Sequence, residues 1–264
     1  MYKTHYRILL LLFLAMISLQ CSREYEVVLK GGTIYDGTGE APYQADIGIE
    51  GGMIQTIGKI RGGGARVIDA TGLYISPGFI DMHTHCDRGL TTPGLSAALN
   101  YLTQGVTTVV SGNCGSGTYK VEEYFNTIDS IGTGPNVVHL VGHGTVRRAV
   151  LGSENRAPTM DEMEEMKELL ATGMKGGAAG MSTGLFYAPG SYAETDEVIE
   201  LGKVVKAHQG IYASHIRDEG QFTVGLISSI KEAISIGEEA RVPVQISHLK
   251  ALGKPVWGLS DEVT

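Results

Sequence analysis

The fold is decided by the stretch Gly78-Phe79-Ile80-Asp81-Met82-His83-Thr84-His85, which follows Pro77. It predicts a short strand that ends in two histidines. From this point the chain alternates short apolar strands with helical stretches, a pattern that favours a parallel sheet covered by helices. The predicted strands cover residues 78–85, 106–113, 136–142, 178–184, 210–215 and 242–248.

The stretches between these strands carry helix signals of their own. Thr159 and Glu162 have the spacing of a capping box, which predicts a helix from there through Leu170. Apolar residues at helical spacing over 226–234 predict another helix before the sixth strand. A closed (β/α)8 barrel needs eight strands, so six strands indicate an open barrel or a fold that is not a barrel.

The residues before Pro77 have a different pattern. Residues 24–76 contain short β segments broken by glycine pairs such as Gly31-Gly32 and Gly51-Gly52, and these predict a small sheet. The sequence therefore predicts a small β-domain over 22–76 and a strand–helix domain over 77–264.

The composition is that of a globular protein. The 264 residues are 42% hydrophobic and 19% charged, with a net charge of −8. These values exclude a disordered chain and a multi-span membrane protein. An acidic chain without a basic cluster is not expected to bind nucleic acid. Three cysteines are too few for a disulfide scaffold.

The first residues have the pattern of an export signal. Lys3 and Arg7 precede the apolar run Ile8–Leu19, which is shorter than the roughly 20 residues that span a bilayer. We therefore predict a signal peptide over residues 1–21 and an exported protein. Cys21 stands where a bacterial lipoprotein carries its lipid, so the expected location is periplasmic, either free or anchored to the membrane through Cys21.

Several predicted strands end in residues that bind metals. His83 and His85 are two positions apart, so on a strand both imidazoles point to the same face. Other strands end near Cys114, His215 and His248, and the carboxyl ends of parallel strands meet at one edge of a sheet. Neutral imidazole and thiolate together favour zinc. Scattered structural histidines are the alternative.

The remaining candidates have simpler interpretations. His143 also lies near a strand end, whereas His139 is expected to pack in the middle of a strand and His208 to face solvent. Cys114 itself could be a small buried hydrophobic residue. It could also form a disulfide with Cys86, which would remove a metal ligand.

Six stretches together resemble the D-aminoacylase, or N-acyl-D-amino-acid deacylase, branch of the amidohydrolase superfamily. In chain order they read GFIDMHTH from residue 78, GNCG from 112, GHGTVR from 142, GLFYAPG from 184, SHIRDE from 214 and QISHLK from 245. The histidine pair is shared across the superfamily, whereas the cysteine after the second strand is far more specific. The resemblance implies an α/β fold, a TIM (β/α)8 barrel that is incomplete here at about six strands, with a small N-terminal β-domain.

The resemblance also implies a set of zinc ligands. Cys114, His215 and His248 would hold one ion tightly. His83 and His85 would form a weaker second site that shares Cys114 as a bridge.

The reaction implied by the resemblance is hydrolysis of N-acyl-D-amino acids, small molecules that are split into a carboxylate and a D-amino acid. Tyr187 and Lys250 match positions expected near this substrate, with a packed tyrosine and a solvated lysine as the alternatives. The general base of the family is an aspartate at the end of the eighth strand, which would lie beyond Thr264. We therefore expect these residues to be a fragment of a longer deacylase, or the product of a truncated gene, and to be poorly folded and inactive alone.

Two other functions stay open. A cyclic-amide hydrolase such as a hydantoinase or dihydropyrimidinase typically bridges two metals with a carboxylated lysine on the fourth strand, and residues 178–184 contain no lysine. An inactive exported remnant or binding protein would keep the ligands without turning over a substrate.

Overall fold

The computed structural model describes residues 25–263, which form two compact units that divide between Pro77 and Gly78. The predicted signal peptide over 1–21, with Cys21, lies outside the described residues. Within the described part of the chain, no helix has the length and apolar character needed to cross a membrane.

The smaller unit contains a mixed β-sheet of five strands. They are β1 (Tyr25–Ile34), β2 (Tyr43–Glu50), β3 (Met53–Gly58), β4 (Gly64–Asp69) and β5 (Tyr74–Ile75). Strand β1 pairs antiparallel with β2 and parallel with β4 and β5, while β3 pairs with β2. The predicted small N-terminal sheet is therefore confirmed.

The larger unit contains a parallel sheet of six strands that follow one another in chain order. They are β6 (Phe79–Asp81), β7 (Val106–Ser111), β8 (Asn136–Gly142), β9 (Gly180–Gly184), β10 (Ile211–His215) and β11 (Val244–Ile246). Each strand pairs parallel with its neighbours. The six predicted strands are confirmed, and their carboxyl ends lie at one edge of the sheet.

The first and last of these strands are shorter than the sequence predicts. Strand β6 ends at Asp81, so both histidines of the pair lie just beyond it. Thr84, which lies between them, is buried and donates its hydroxyl to the carbonyl of Val110. Because Thr84 faces inward, His83 and His85 still lie side by side, with ring centroids 5.2 Å apart.

Helices connect and cover the strands. They are α1 (Asp87–Leu90), α2 (Leu99–Leu102), α3 (Val121–Ile131), α4 (His143–Leu151), α5 (Met160–Lys175), α6 (Thr195–Ala207), α7 (Leu226–Ala240) and α8 (Ser260–Val263), with 3-10 turns at Gly190–Tyr192 and Lys254–Val256. The capping box is present: Thr159 accepts from the backbone of Glu162, and the Glu162 carboxylate accepts from the backbone of Thr159. Helix α5 continues past the predicted Leu170, through Gly173, to Lys175, and ends at the glycine pair Gly176-Gly177, where Gly177 has a φ of +104°.

The main core lies between the sheet and its helices. Its fully buried members come from strands β8 to β10 and from helices α5 to α7; among them are Val141, Met166, Met181, Leu201, Tyr212 and Ile236. All five residues of β9 are buried, as expected for a central parallel strand that is covered on both faces. This rigid core fixes the strand ends that carry the site.

Candidate metal centre

The predicted ligands converge at the carboxyl edge of the six-stranded sheet. His83 and His85 follow β6, Cys114 follows β7, His215 is the last residue of β10, and His248 follows β11. The sheet places the end of each strand beside its neighbours, so residues more than 100 positions apart in the chain come into contact.

Cys114 lies at the centre of this cluster. Its Sγ is 3.5 Å from His83 Nε2, 3.4 Å from His215 Nδ1 and 3.5 Å from His248 Nε2. Two groups of candidate ligand atoms, each lying within 4.8 Å of one another, share Cys114: one with His83 and His85, the other with His215 and His248.

The distances suit a tetrahedral zinc ion. Zinc–sulfur bonds of about 2.3 Å and zinc–nitrogen bonds of about 2.0–2.1 Å at tetrahedral angles separate sulfur from nitrogen by about 3.5 Å. The distances from Cys114 Sγ to His215 Nδ1 and His248 Nε2 have this value. One thiol and neighbouring imidazoles are also the donor set that zinc prefers, so these residues fit the metal.

Burial sets the protonation of the ligands. It lowers the pKa of His83 and His215 to about 4, with His248 as the next cause, so both rings are neutral at pH 7. Neutral imidazole is the form that binds a metal. Burial, followed by the Glu219 carboxylate, raises the pKa of the Cys114 thiol to about 11. A cation at this position would therefore have to displace the thiol proton.

Cys114 is held by a backbone conformation that side chains rarely adopt. Its φ is +53°, in the left-handed region. The Ser182 hydroxyl accepts from the backbone of Gly115 at 2.9 Å and donates to the carbonyl of Gly112, so one buried hydroxyl holds both sides of the cysteine. Gly184 lies against the same loop, since a Cβ added there would meet the Cys114 carbonyl oxygen at 2.3 Å.

We expect Gly184→Ala to weaken metal binding although it removes no ligand. The added methyl group would meet the carbonyl oxygen and the carbonyl carbon of Cys114, at 2.3 Å and 3.0 Å. It must push the Cys114 backbone away, because neither of these two atoms is the end of a flexible side chain. Competition with a chelator measures the affinity for zinc. Gly89→Ala is the matched control, since a Cβ there meets nothing within 4 Å. Equal zinc affinities in the two variants would contradict this account of the loop.

Glu219 is a residue of the site that the sequence pattern does not predict, although it closes the stretch SHIRDE. Glu219 is only 3% exposed. Its Oε1 lies 2.9 Å from His248 Nδ1 and 3.7 Å from His215 Nε2, and its Oε2 lies 3.0 Å from Lys250 Nζ. A buried carboxylate that contacts two candidate ligands belongs to the site.

The residues predicted near the substrate lie at the edge of the cluster. Tyr187 is half exposed, with its ring centroid 4.7 Å from that of His215. Lys250 is half exposed and pairs with Glu219, so it is not simply a solvated lysine. A cavity of about 420 Å³ opens beside Tyr187 and Cys114. Cys114, His85, Tyr187 and Arg148 are among the residues that line it.

The other histidines among residues 25–263 stay outside both ligand groups. His143 is fully buried and bonds Glu197 at 2.8 Å. His139 is packed in β8 against Ser111, and His208 is exposed, as the sequence predicts for each. Cys86 and Cys114 are both free thiols, so the alternative of a disulfide between them is wrong.

A family model decides where this chain belongs. Residues 66–259 match the amidohydrolase family. The chain is a member of that family. The match covers the six strands and every candidate ligand described above.

The relatives of this family member include a D-aminoacylase of Alcaligenes xylosoxydans xylosoxydans, 38% identical over 91% of this chain and 54% of the relative. A crystal structure of D-aminoacylase superposes with a TM-score of 0.84 at 35% identity, covering 90% of this chain and 54% of the other. An N-acyl-D-glutamate deacylase of Bordetella bronchiseptica, solved with zinc and a phosphonate inhibitor, superposes with a TM-score of 0.83 at 31% identity, covering 91% and 55%. The predicted resemblance to this branch is confirmed, as is the fold.

The chain spans about half the length of the relatives that it matches. A D-hydantoinase is similar at 18% identity with a TM-score of 0.58, which shows a shared fold alone.

Proposed function

We propose that this chain carries the metal site of an N-acyl-D-amino-acid deacylase, which hydrolyses the amide bond to release a carboxylate and a D-amino acid. The observation that carries the proposal is the position of the Cys114 thiol, 3.4–3.5 Å from three imidazoles beside a cavity. The similarity to D-aminoacylase and to the zinc-containing glutamate deacylase supports it.

In this proposal Cys114, His215 and His248 would hold one zinc ion. His83 and His85, with the shared Cys114, would form a second and weaker site. A bound zinc ion would supply a Lewis acid that polarises the amide carbonyl. The chain contributes neutral imidazoles, a partly buried thiol and a cavity of about 420 Å³.

The substrate would lie in the cavity beside the ligands. We propose that Lys250, whose ammonium group is fixed by Glu219, attracts a carboxylate of the substrate. Tyr187 presents its half-exposed ring next to His215, where it can limit the position of the acylated amine. The general base is proposed to be an aspartate outside the 264 residues, and the protein is proposed to act outside the cytoplasm.

A cyclic-amide hydrolase is the weaker candidate. Strand β9 (Gly180–Gly184) contains no lysine that could be carboxylated, and Lys175 lies at the end of α5 instead. The likeness to hydantoinases is one of fold. An inactive binding protein would keep the candidate ligands but would not hydrolyse an N-acyl-D-amino acid, so an activity assay distinguishes it from the deacylase.

The product of the whole reading frame that contains these residues is the protein to assay. We expect zinc-loaded protein to release amino acid from N-acetyl-D-amino acids and not from their L-enantiomers, as measured by reaction of the free amine. Removal of the metal with a chelator should abolish release, and added zinc should restore it. Metal-loaded protein that hydrolyses only a hydantoin, or nothing, would contradict the proposal.

A further inference from the structure

One buried carboxylate faces the outer nitrogens of two candidate ligands. The His215 ring presents Nδ1 to Cys114 Sγ and Nε2 to Glu219 Oε1, at 3.4 Å and 3.7 Å. The His248 ring presents Nε2 to the sulfur and Nδ1 to the same carboxylate oxygen, at 3.5 Å and 2.9 Å. Both rings therefore lie between the thiol and Glu219.

The atoms on the outer side have no other partner. His215 Nε2, His248 Nδ1 and Glu219 Oε1 are buried, and none makes an aligned hydrogen bond to another of the described residues. Buried polar atoms are normally partnered. His248 Nδ1 is within hydrogen-bond distance of Glu219 Oε1 at 2.9 Å, whereas His215 Nε2, at 3.7 Å, has to move closer before it can donate to the same oxygen.

The loop after β10 is built to hold this carboxylate in place. The neighbouring Asp218 carboxylate accepts from the backbone N–H groups of Gly220, Phe222, Thr223 and Gly225 at 2.6–3.1 Å. The carbonyl of Glu219 accepts from the backbone of Leu252 at 2.8 Å, which joins this loop to the segment after His248. Burial opposes ionisation of Asp218, but these backbone donors outweigh it and hold its pKa below the ordinary value.

We propose that Glu219 is a shared positioning residue for the metal centre: it fixes the ring orientation and the tautomer of His215 and His248, and through its second oxygen it ties Lys250 to the same centre. A carboxylate on the outer nitrogen of a ligating histidine orients the ring and strengthens it as a ligand. Here one carboxylate serves two rings and a lysine. The inference rests on the proposed function, since it assumes that these histidines bind a metal.

The test compares Glu219→Gln with the parent, both made as the product of the whole reading frame that contains these residues. Glutamine keeps the shape of the side chain and removes its charge. We expect the affinity for zinc, measured by competition with a chelator, to fall roughly 10–100-fold. We also expect the visible absorption bands of the cobalt-loaded variant to differ from those of the parent at saturating metal, because the rings are no longer held. A residue with a purely structural role would not change that spectrum.

Two controls distinguish loss of the Glu219 contacts from loss of another carboxylate charge and from loss of Lys250. Glu232→Gln makes the same change in a carboxylate that pairs with Arg217 at 2.7 Å and contacts no candidate ligand, so its zinc affinity should equal that of the parent. Lys250→Gln removes the lysine and leaves Glu219, so zinc binding should not weaken.

Each result of these zinc-binding experiments either supports or overturns the role of Glu219. Parent-like affinity and spectrum in Glu219→Gln would overturn the inference and leave the proposed function intact. Equal weakening in Lys250→Gln would also overturn it, since Glu219 would then act through the lysine. A parent chain that binds no metal would overturn both. If Glu219→Gln does not fold, Glu219→Asp keeps the charge but withdraws it from the rings, and unchanged zinc affinity there would overturn the inference.

Discussion

Cys114→Ser is expected to remove tight zinc binding. Cys114 belongs to both groups of candidate ligands, so its loss affects both. Serine leaves a hydroxyl, which ordinarily stays protonated and is not among the usual zinc ligands. The loss of affinity should exceed the roughly 10–100-fold cost of removing an outer partner. Zinc retained per chain after desalting, measured by atomic emission, gives the result.

Cys86→Ser is the matched control for this experiment. Cys86 is also a free, partly buried cysteine, but its Sγ contacts the Thr84 hydroxyl at 3.1 Å and belongs to neither ligand group. It should retain as much zinc as the parent. If the two serine variants retained the same amount of zinc, Cys114 would not be a ligand.

Glu197→Gln is expected to destabilise the larger unit strongly. The Glu197 carboxylate accepts from His143 Nε2 at 2.8 Å and from Arg147 Nη1, and the Arg147 side chain is fully buried. Burial opposes ionisation of Glu197, but these two donors outweigh it and hold its pKa below the ordinary value. Loss of its charge leaves the Arg147 guanidinium buried without a counter-ion, at a cost of about 3–5 kcal/mol.

Urea unfolding of the metal-free product of the whole reading frame, followed by circular dichroism, measures this cost. In a unit of this size it corresponds to a fall in Tm of roughly 6–20 °C. Glu154→Gln is the comparison: Glu154 pairs with Arg156 on the surface, where water screens the pair, so its effect should be small. Similar unfolding curves for the two variants would show that the buried pair does not stabilise the fold.

The sequence predicts the strands and the clustering of the candidate ligands for the same physical reason. Apolar strands alternate with helices, and the candidate ligands stand where the strands end, so the order of the elements places Cys114, His215 and His248 together. The two-residue spacing of His83 and His85 predicts their common face, although β6 ends before them, because Thr84 keeps the alternation.

The sequence does not predict the buried carboxylates. Glu197 lies on a helix that reads as amphipathic, and its partners His143 and Arg147 are 50 or more positions away. Glu219 lies four residues from His215 but contacts His248 only because β10 and β11 are neighbours. These contacts depend on tertiary packing. The interpretation of His143 as one more residue at a strand end missed its bond to Glu197 for the same reason.

The extended X-ray absorption fine structure of the protein loaded with one equivalent of zinc tests most directly whether Cys114, His215 and His248 hold the ion. The scattering reports the atoms bound to the metal and their distances. If Cys114, His215 and His248 hold the ion, the spectrum will show one sulfur at about 2.3 Å and imidazole nitrogens at about 2.0–2.1 Å. A shell of nitrogen and oxygen atoms without sulfur would contradict the account.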